Sequence, residues 1–170
     1  MNGKTSTRKF VIAAMFAVLV CVATMIIKIP SPMKGYLNLG DGVVLLAGWM
    51  LTPIYGFLAA GLGSALTDLF SGYVIYAPAT FVIKGLMTLL VCWGFRLLHK
   101  KLGKLPARIL TGLVAEVVMV LGYFVFEGAL YGFIPSVVNI PANSAQGLAG
   151  LILGCVLVSQ LEKYKMFKGE

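Results

Sequence analysis

Long apolar runs separated by short polar stretches dominate the chain. They lie at about residues 10–29, 42–51, 54–70, 79–98, 107–131 and 143–161. A helix needs roughly 20 apolar residues to cross a bilayer, and five of the runs come near that length. The second run, "GVVLLAGWML", is short enough to be a re-entrant segment rather than a crossing. The pattern predicts an all-α integral membrane protein.

The distribution of basic residues indicates that the short run also crosses. Cytoplasmic loops of membrane proteins are enriched in Lys and Arg. The basic residues form three clusters, at residues 4–9, 96–108 and 163–168. These clusters lie on one side of the membrane only if an even number of spans separates them. We therefore predict a six-transmembrane-helix bundle with both termini cytoplasmic. The clusters hold eleven of the 14 basic residues, namely Lys4, Arg8 and Lys9; Arg96, Lys100, Lys101, Lys104 and Arg108; and Lys163, Lys165 and Lys168.

Composition narrows the functional classes. The chain is 59% hydrophobic and has a net charge of +8, but its basic residues border the apolar runs. That placement is typical of a lipid-embedded protein and argues against nucleic-acid binding. The three cysteines lie in apolar runs without metal-ligand spacing, so we expect no metal site and no cofactor. Residues 1–170 are expected to form one membrane domain, whose first apolar run is a retained span rather than a removed signal peptide.

Ionisable residues inside apolar spans are expensive and suggest function. Asp68 lies near the outer end of the third predicted helix, and Lys84 lies one turn into the fourth. Because these helices are antiparallel and joined by a short loop, we predict that the two side chains pair. Thr80 precedes Lys84 by one helical turn and extends a polar face. Two interpretations stay open: a structural ion pair, or a lysine that contacts a ligand.

The last two predicted helices carry further polar residues at their outer ends. In the fifth, Glu116, Tyr123, Glu127 and Tyr131 share one face, which we expect to point inward. Glu116 lies deeper, where a capping or interface role is expected. Carboxylate, amide and aromatic groups together suit a small, flat, polar ligand. The outer candidates are Glu127, Tyr131, Asn139, Asn143 and Gln146.

One part of the chain resembles a known family. The stretches "NLGDGVVLLAG" and "PIYGFLAAGLGSALTDLFSGYVIYAPATFVIKGLM", with Ala13-x-x-x-Ala17, resemble the substrate-binding S components of energy-coupling-factor (ECF) vitamin transporters. The resemblance implies a six-helix vitamin binder in the plasma membrane of a bacterium. It implies docking through Ala13 and Ala17 onto a membrane T component that carries two cytoplasmic ATPases. It also implies that the protein topples in the membrane to deliver its ligand.

The resemblance adds site residues and limits the substrates. Tyr36, Asn38, Tyr73 and Tyr76 are implied to contact the ligand. Since the chain is short and its polar groups are clustered, we expect a one-ring ligand such as pyridoxine (vitamin B6) or hydroxymethylpyrimidine, with riboflavin as the alternative.

Two other classes of function are alternatives to a vitamin-binding subunit. A stand-alone secondary transporter would use Asp68, Lys84 and Glu127 as proton-linked groups. An intramembrane enzyme is disfavoured because HExxH, GxSxG and a Cys–His arrangement are lacking. We therefore expect a transport subunit rather than an enzyme.

Overall fold

The computed structural model describes residues 3–31 and 36–163, which form one helical bundle. Its long helices are close to the predicted apolar runs, and most extend beyond them by a few residues. A four-residue helix and one turn of 3-10 helix (Val137–Asn139) connect the fifth and last long helices. The helices are α1 (Gly3–Ile26), α2 (Gly40–Met50), α3 (Pro53–Phe70), α4 (Ala77–Leu102), α5 (Lys104–Tyr131), α6 (Phe133–Ser136) and α7 (Ile140–Lys163).

The predicted helical membrane bundle is confirmed, with one small addition. Strands β1 (Lys28–Pro30) and β2 (Tyr36–Asn38) form an antiparallel hairpin in which Ile29 lies opposite Leu37. Strands of three residues are too short to leave an alternating hydrophobic pattern in a sequence. The hairpin follows α1 directly and leads into α2, so it lies over one end of the bundle. We call this the hairpin end, and the opposite end, with Lys104 and Arg108, the basic end.

The exterior of the bundle is apolar and its interior is partly polar. Ile54, Leu97 and Ile152 are among the large apolar side chains that are mostly exposed, whereas Asp41 and Lys84 are buried. This is the reverse of a soluble protein and fits a chain whose outer surface contacts lipid. Five helices are long and apolar enough to cross a membrane, and α2 is shorter.

Helix α2 is short because it begins in the middle of the bundle. Its Asp41 contacts Lys84, which lies seven residues into α4. At 1.5 Å per residue, this contact lies about 10 Å below the start of α4. The hairpin and an open cavity occupy the space above the first turn of α2. From there α2 runs toward the basic end, where Trp49 donates a hydrogen bond to Thr111 at 3.2 Å.

The small residues of α1 pack against α3. Ala13 is buried, and a Cβ on Gly63 of α3 would lie 2.4 Å from the carbonyl oxygen of Ala17. Glycine at position 63 therefore lets the two backbones approach closely. Ala17 is half-buried, and Ala14 is exposed. A docking surface made of Ala13 and Ala17 stays a prediction, and in this arrangement Ala13 faces the bundle rather than a partner.

Candidate functional site

A polar cavity opens at the hairpin end of the bundle. It contains about 490 Å³ of atom-free space, counting its open mouth. Residues from the hairpin and from α1, α3, α4, α5 and α7 form its walls. They are Thr24, Ser31, Tyr36, Asn38, Ser64, Asp68, Tyr73, Tyr76, Thr80, Lys84, Tyr123, Glu127, Asn143 and Gln146.

A buried ion pair forms the floor of this cavity. The Lys84 ammonium contacts Asp41 Oδ1, and the two side chains are 2% and 0% exposed. The predicted pairing of Lys84 with Asp68 is therefore wrong. Asp41 lies in the first turn of α2, where the helix dipole also stabilises a negative charge. Because both ions are desolvated, removing either partner would leave an uncompensated buried charge.

Gln146 connects this ion pair to the hairpin. Its Nε2 donates a hydrogen bond to Asp41 Oδ2 at 2.6 Å. Its Oε1 accepts a hydrogen bond from the backbone N–H of Asn38 at 2.9 Å. The amide thus joins α7, the start of α2 and strand β2. The Asn38 side chain also contacts the start of α2, since its Oδ1 accepts a hydrogen bond from Gly40 N–H at 2.9 Å.

Asp68 and three tyrosines form one wall of the cavity. The Tyr36 hydroxyl donates a hydrogen bond to Asp68 Oδ1 at 2.6 Å. Burial, together with the negative charge of Asp68, raises the pKa of the Tyr36 phenol, so this hydroxyl retains its proton. The rings of Tyr36 and Tyr73 lie 4.8 Å apart, and those of Tyr73 and Tyr76 lie 6.4 Å apart. Such a row of rings is suited to stacking against a flat ligand.

Glu127 lines the cavity from α5. Its Oε1 accepts hydrogen bonds from Asn139 Nδ2 at 2.8 Å and from the Tyr76 hydroxyl at 3.4 Å. Glu127 is 2% exposed, and its Oε2 has no hydrogen-bond partner among the described residues. Asp68 Oδ2 is likewise buried without a partner there. Both residues line the cavity, and each has one carboxyl oxygen without a hydrogen-bond partner among the described residues.

Tyr123 contacts the cation of the floor. The Lys84 ammonium lies 5.5 Å from the centre of its ring, within the range of a cation–π interaction. The Tyr123 and Thr80 hydroxyls share a hydrogen bond of 3.1 Å. Tyr123 thus holds α4 and α5 together at the depth of the ion pair.

Ten of the twelve predicted ligand contacts line this single cavity. Two do not. Asn139 donates a hydrogen bond to Glu127 without lining the cavity itself. Tyr131 interacts with Tyr76 and also lies outside the lining. Whether any of the twelve binds a ligand stays a prediction. The ten are Tyr36, Asn38, Asp68, Tyr73, Tyr76, Thr80, Lys84, Glu127, Asn143 and Gln146.

Sequence reasoning missed several residues of the site. The second apolar run begins at residue 42, so the sequence pattern places Asp41 in the preceding outer loop rather than inside the bundle. The unusual shortness of that run was the signal that α2 begins at mid-depth. Ser64 follows Ala60 by four residues, and this small-residue spacing by itself indicates only close packing of helices. Thr24 and Ser31 carried no distinguishing pattern.

Glu116, for which a capping or interface role is predicted, lies between α5 and α7 rather than at a helix end. It is buried near the middle of α5, and neither carboxyl oxygen has a hydrogen-bond partner among the described residues. Gly147 and Gly150 of α7 leave room for it, since a Cβ at either position would lie 2.9 Å or 3.3 Å from its oxygens. Glu116 lies beneath the cavity and does not line it.

The chemistry of the site is that of binding. Hydroxyl, amide, carboxylate and aromatic groups surround an open space, and the Lys84 ammonium is paired with Asp41. No group of three or more metal-ligating side chains occurs in the part of the chain that the structure describes. The arrangement can hold a small, flat molecule that carries hydrogen-bond donors.

The fold and this cavity define a small membrane-embedded binding protein, and comparisons with known proteins place it in a family. Residues 4–163 match the protein family described as "ECF-type riboflavin transporter, S component". The chain therefore belongs to the family of ECF transporter S components, as the resemblance indicated. S components are membrane-embedded transport subunits.

Two individual proteins are similar to the chain. A solved structure described as "Structure and mechanism of the S component of a bacterial ECF transporter" is 22% identical and has a TM-score of 0.69. That likeness covers 94% of this chain and 98% of the other, and it shows the same fold. An uncharacterized protein of Pyrococcus woesei is 39% identical over 137 residues, which are 79% of this chain and 88% of that protein.

Proposed function

We propose that this chain is the vitamin-binding subunit of an ECF importer and that its ligand occupies the cavity at the hairpin end. The observation that carries the proposal is that Asp68 and Glu127 line one cavity and that each has a buried oxygen, Oδ2 and Oε2 respectively, without a partner among the described residues. Buried acceptors without partners are destabilising in the empty protein. A ligand that donates hydrogen bonds to both would remove that cost.

We propose a one-ring vitamin as the ligand, namely pyridoxine or a close relative such as hydroxymethylpyrimidine. The polar groups lie on several walls of one cavity, so a single ring with hydroxymethyl arms can reach them. The row of Tyr36, Tyr73 and Tyr76 provides aromatic faces for that ring.

Riboflavin is the second candidate. The family that matches the chain is described as that of riboflavin transporter S components. The hydroxyls of Ser31, Ser64 and Thr80 would suit its polyol tail.

Equilibrium binding to the purified chain tests the proposal. Pyridoxine, hydroxymethylpyrimidine and riboflavin are titrated separately in detergent by calorimetry. One of them is expected to bind with a sub-micromolar Kd, which corresponds to more than about 8 kcal/mol of binding free energy. If none of the three binds in this range, the proposed ligand class is wrong.

Two neighbouring residues of α7 provide a matched pair of variants. Asn143 lines the cavity, whereas Ser144 lies beside it outside the lining and bonds to the carbonyl of Ile140 at 2.7 Å. Asn143→Ala is expected to weaken binding about tenfold through the loss of one hydrogen bond. Ser144→Ala is expected to leave Kd within about twofold. Equal effects of the two substitutions would place the ligand elsewhere.

Partner chains and orientation are part of the same proposal. We propose that a T component and two ATPases drive uptake and that the basic end is cytoplasmic. The clustering of basic side chains at that end supports this orientation. Uptake into proteoliposomes that contain only this chain would instead favour the secondary transporter that uses Asp68, Lys84 and Glu127.

A further inference from the structure

The outward face of α4 carries a stripe of exposed apolar side chains that runs toward the basic end. Its members follow one another at spacings of four, three and four residues, which places them on one side of the helix. At 1.5 Å per residue the stripe is about 16 Å long, close to half of the roughly 30 Å hydrocarbon core of a bilayer. It therefore has the length of one leaflet of acyl chains. The members are Leu86, Leu90, Trp93 and Leu97.

Exposed cations lie at the end of this stripe. Arg96 and Lys100 follow Trp93 by three and seven residues, so they lie on its side of the helix, and Lys101 follows Leu97 by one turn. Arg96 lies about 28 Å along α4 from its first residue, Ala77, which is close to the thickness of the hydrocarbon core. Tryptophan is enriched at the same level of a membrane, beside the lipid headgroups. The three cations thus lie at headgroup depth.

The described acidic residues leave these cations without a protein partner. Glu162 is engaged by Lys104 at 2.9 Å and by Arg108 at 2.8 Å. The salt bridges among residues 3–31 and 36–163 include none to the three cations of α4. The other acidic side chains of these residues are buried inside the bundle, namely Asp41, Asp68, Glu116 and Glu127.

We propose that this face of α4 binds one anionic phospholipid. An acyl chain lies along the apolar stripe, and the phosphate contacts Arg96 and Lys100, with Lys101 beside it. Charge complementarity favours a headgroup of net negative charge over a zwitterionic one, because basic clusters next to a transmembrane helix attract anionic lipids. The apolar stripe favours a lipid over an acidic protein, since it continues the lipid-facing surface of the bundle up to the cations.

Trp93 provides a reporter inside the proposed site. The chain is reconstituted in a fixed mixture of phosphatidylcholine and phosphatidylglycerol, with bromine atoms on the acyl chains of one lipid or the other. Bromine quenches the fluorescence of a tryptophan that it contacts. The second tryptophan, Trp49, is half-buried and bonded to Thr111, so it adds the same background to both samples.

Phosphatidylglycerol is expected to be enriched about fivefold beside Trp93 relative to its share of the mixture. This is the factor that one lysine or arginine provides near an anionic lipid surface. Quenching in proportion to the share of each brominated lipid would overturn the proposal.

Matched variants separate this face from the general positive charge of the basic end. The triple variant Arg96→Gln/Lys100→Gln/Lys101→Gln keeps Trp93 and is expected to reduce the enrichment to less than about twofold. Arg8→Gln/Lys9→Gln removes two exposed cations from the same end of α1, which packs against α3. It is expected to keep the enrichment. An equal loss in both variants would contradict a site on α4.

Salt provides a measurement on the unmodified protein, in case the triple variant does not fold. Raising the ionic strength from about 0.1 M to 1 M shortens the Debye length from about 10 Å to about 3 Å, so the enrichment is expected to fall at least about twofold. An enrichment that is unchanged in 1 M salt would contradict the charge argument. Neither the stripe nor its cations line the vitamin cavity, so the outcome is independent of the vitamin titrations.

Discussion

Replacing Lys84 by methionine isolates the contribution of the buried ion pair. Methionine has a similar length and fits an apolar environment, so the change removes the charge with little loss of volume. Asp41 then keeps its hydrogen bond from Gln146 and its place in the first turn of α2. It loses the cation that neutralises it, at a position where it is 0% exposed.

The expected loss of stability follows from this burial. Breaking a buried ion pair by removing one partner costs about 3–5 kcal/mol, because the other charge stays desolvated. In a chain of this size, each kcal/mol lowers Tm by about 2–4 °C. Lys84→Met should therefore lower Tm by roughly 6–20 °C.

Thermal unfolding in detergent, followed by tryptophan fluorescence, provides the assay. Lys101→Met is the matched control, since it makes the same substitution on the exposed basic end of the same helix. It is expected to change Tm by less than about 2 °C. The double variant Asp41→Asn/Lys84→Met removes both charges and should recover at least half of the loss.

The double variant also decides whether the reasoning holds. If Lys84→Met lowers Tm no more than Lys101→Met does, the ion pair is not a buried structural element. If the double variant is as unstable as the single one, the uncompensated charge on Asp41 is not the cause. Ligand affinity is measured on the same samples, because a direct ligand contact of Lys84 would weaken binding beyond the effect on stability.

Two further predictions concern close packing. Gly40→Ala should lower the unfolding free energy by about 1–3 kcal/mol, since a Cβ there would overlap Thr24 Oγ1. Chemical denaturation measures this loss. Gly56→Ala is the control and is expected to be nearly neutral, because the nearest neighbour of its Cβ would lie at 3.6 Å. Ala13→Leu should lower Tm because Ala13 is buried. Ala17→Leu, at a half-buried position, should reduce ATP-dependent uptake with partner chains and leave the Kd for the vitamin unchanged. Equal uptake by the Ala17→Leu variant and the unmodified protein would argue against docking there.

The inward face of α5 illustrates what could be predicted from the sequence. A polar stripe on an otherwise apolar helix is unfavourable in lipid, so its direction follows from elementary energetics. The structure turns Tyr123 and Glu127 to the cavity, as the helical spacing indicates. The same argument applies to Asn143 and Gln146 of α7.

The partner of Lys84 could not be predicted in the same way. A count of residues from the ends of the apolar runs gives the depth of each side chain in the membrane. This count places Asp68 beside Lys84 and leaves Asp41 outside the membrane. The hairpin changes this count, because it carries the chain inward before α2 begins. Its three-residue strands leave no periodic signal, so the depth of Asp41 depends on tertiary structure that no local pattern encodes.

A structure of the protein saturated with the vitamin that binds best in the titrations tests the central claim most directly. The account predicts the ring beside Tyr36 and Tyr73 and above Lys84, with donor groups within hydrogen-bond distance of Asp68 Oδ2 and Glu127 Oε2. A ligand found in a groove between lipid-facing helices or at the basic end, with this cavity empty, would contradict it.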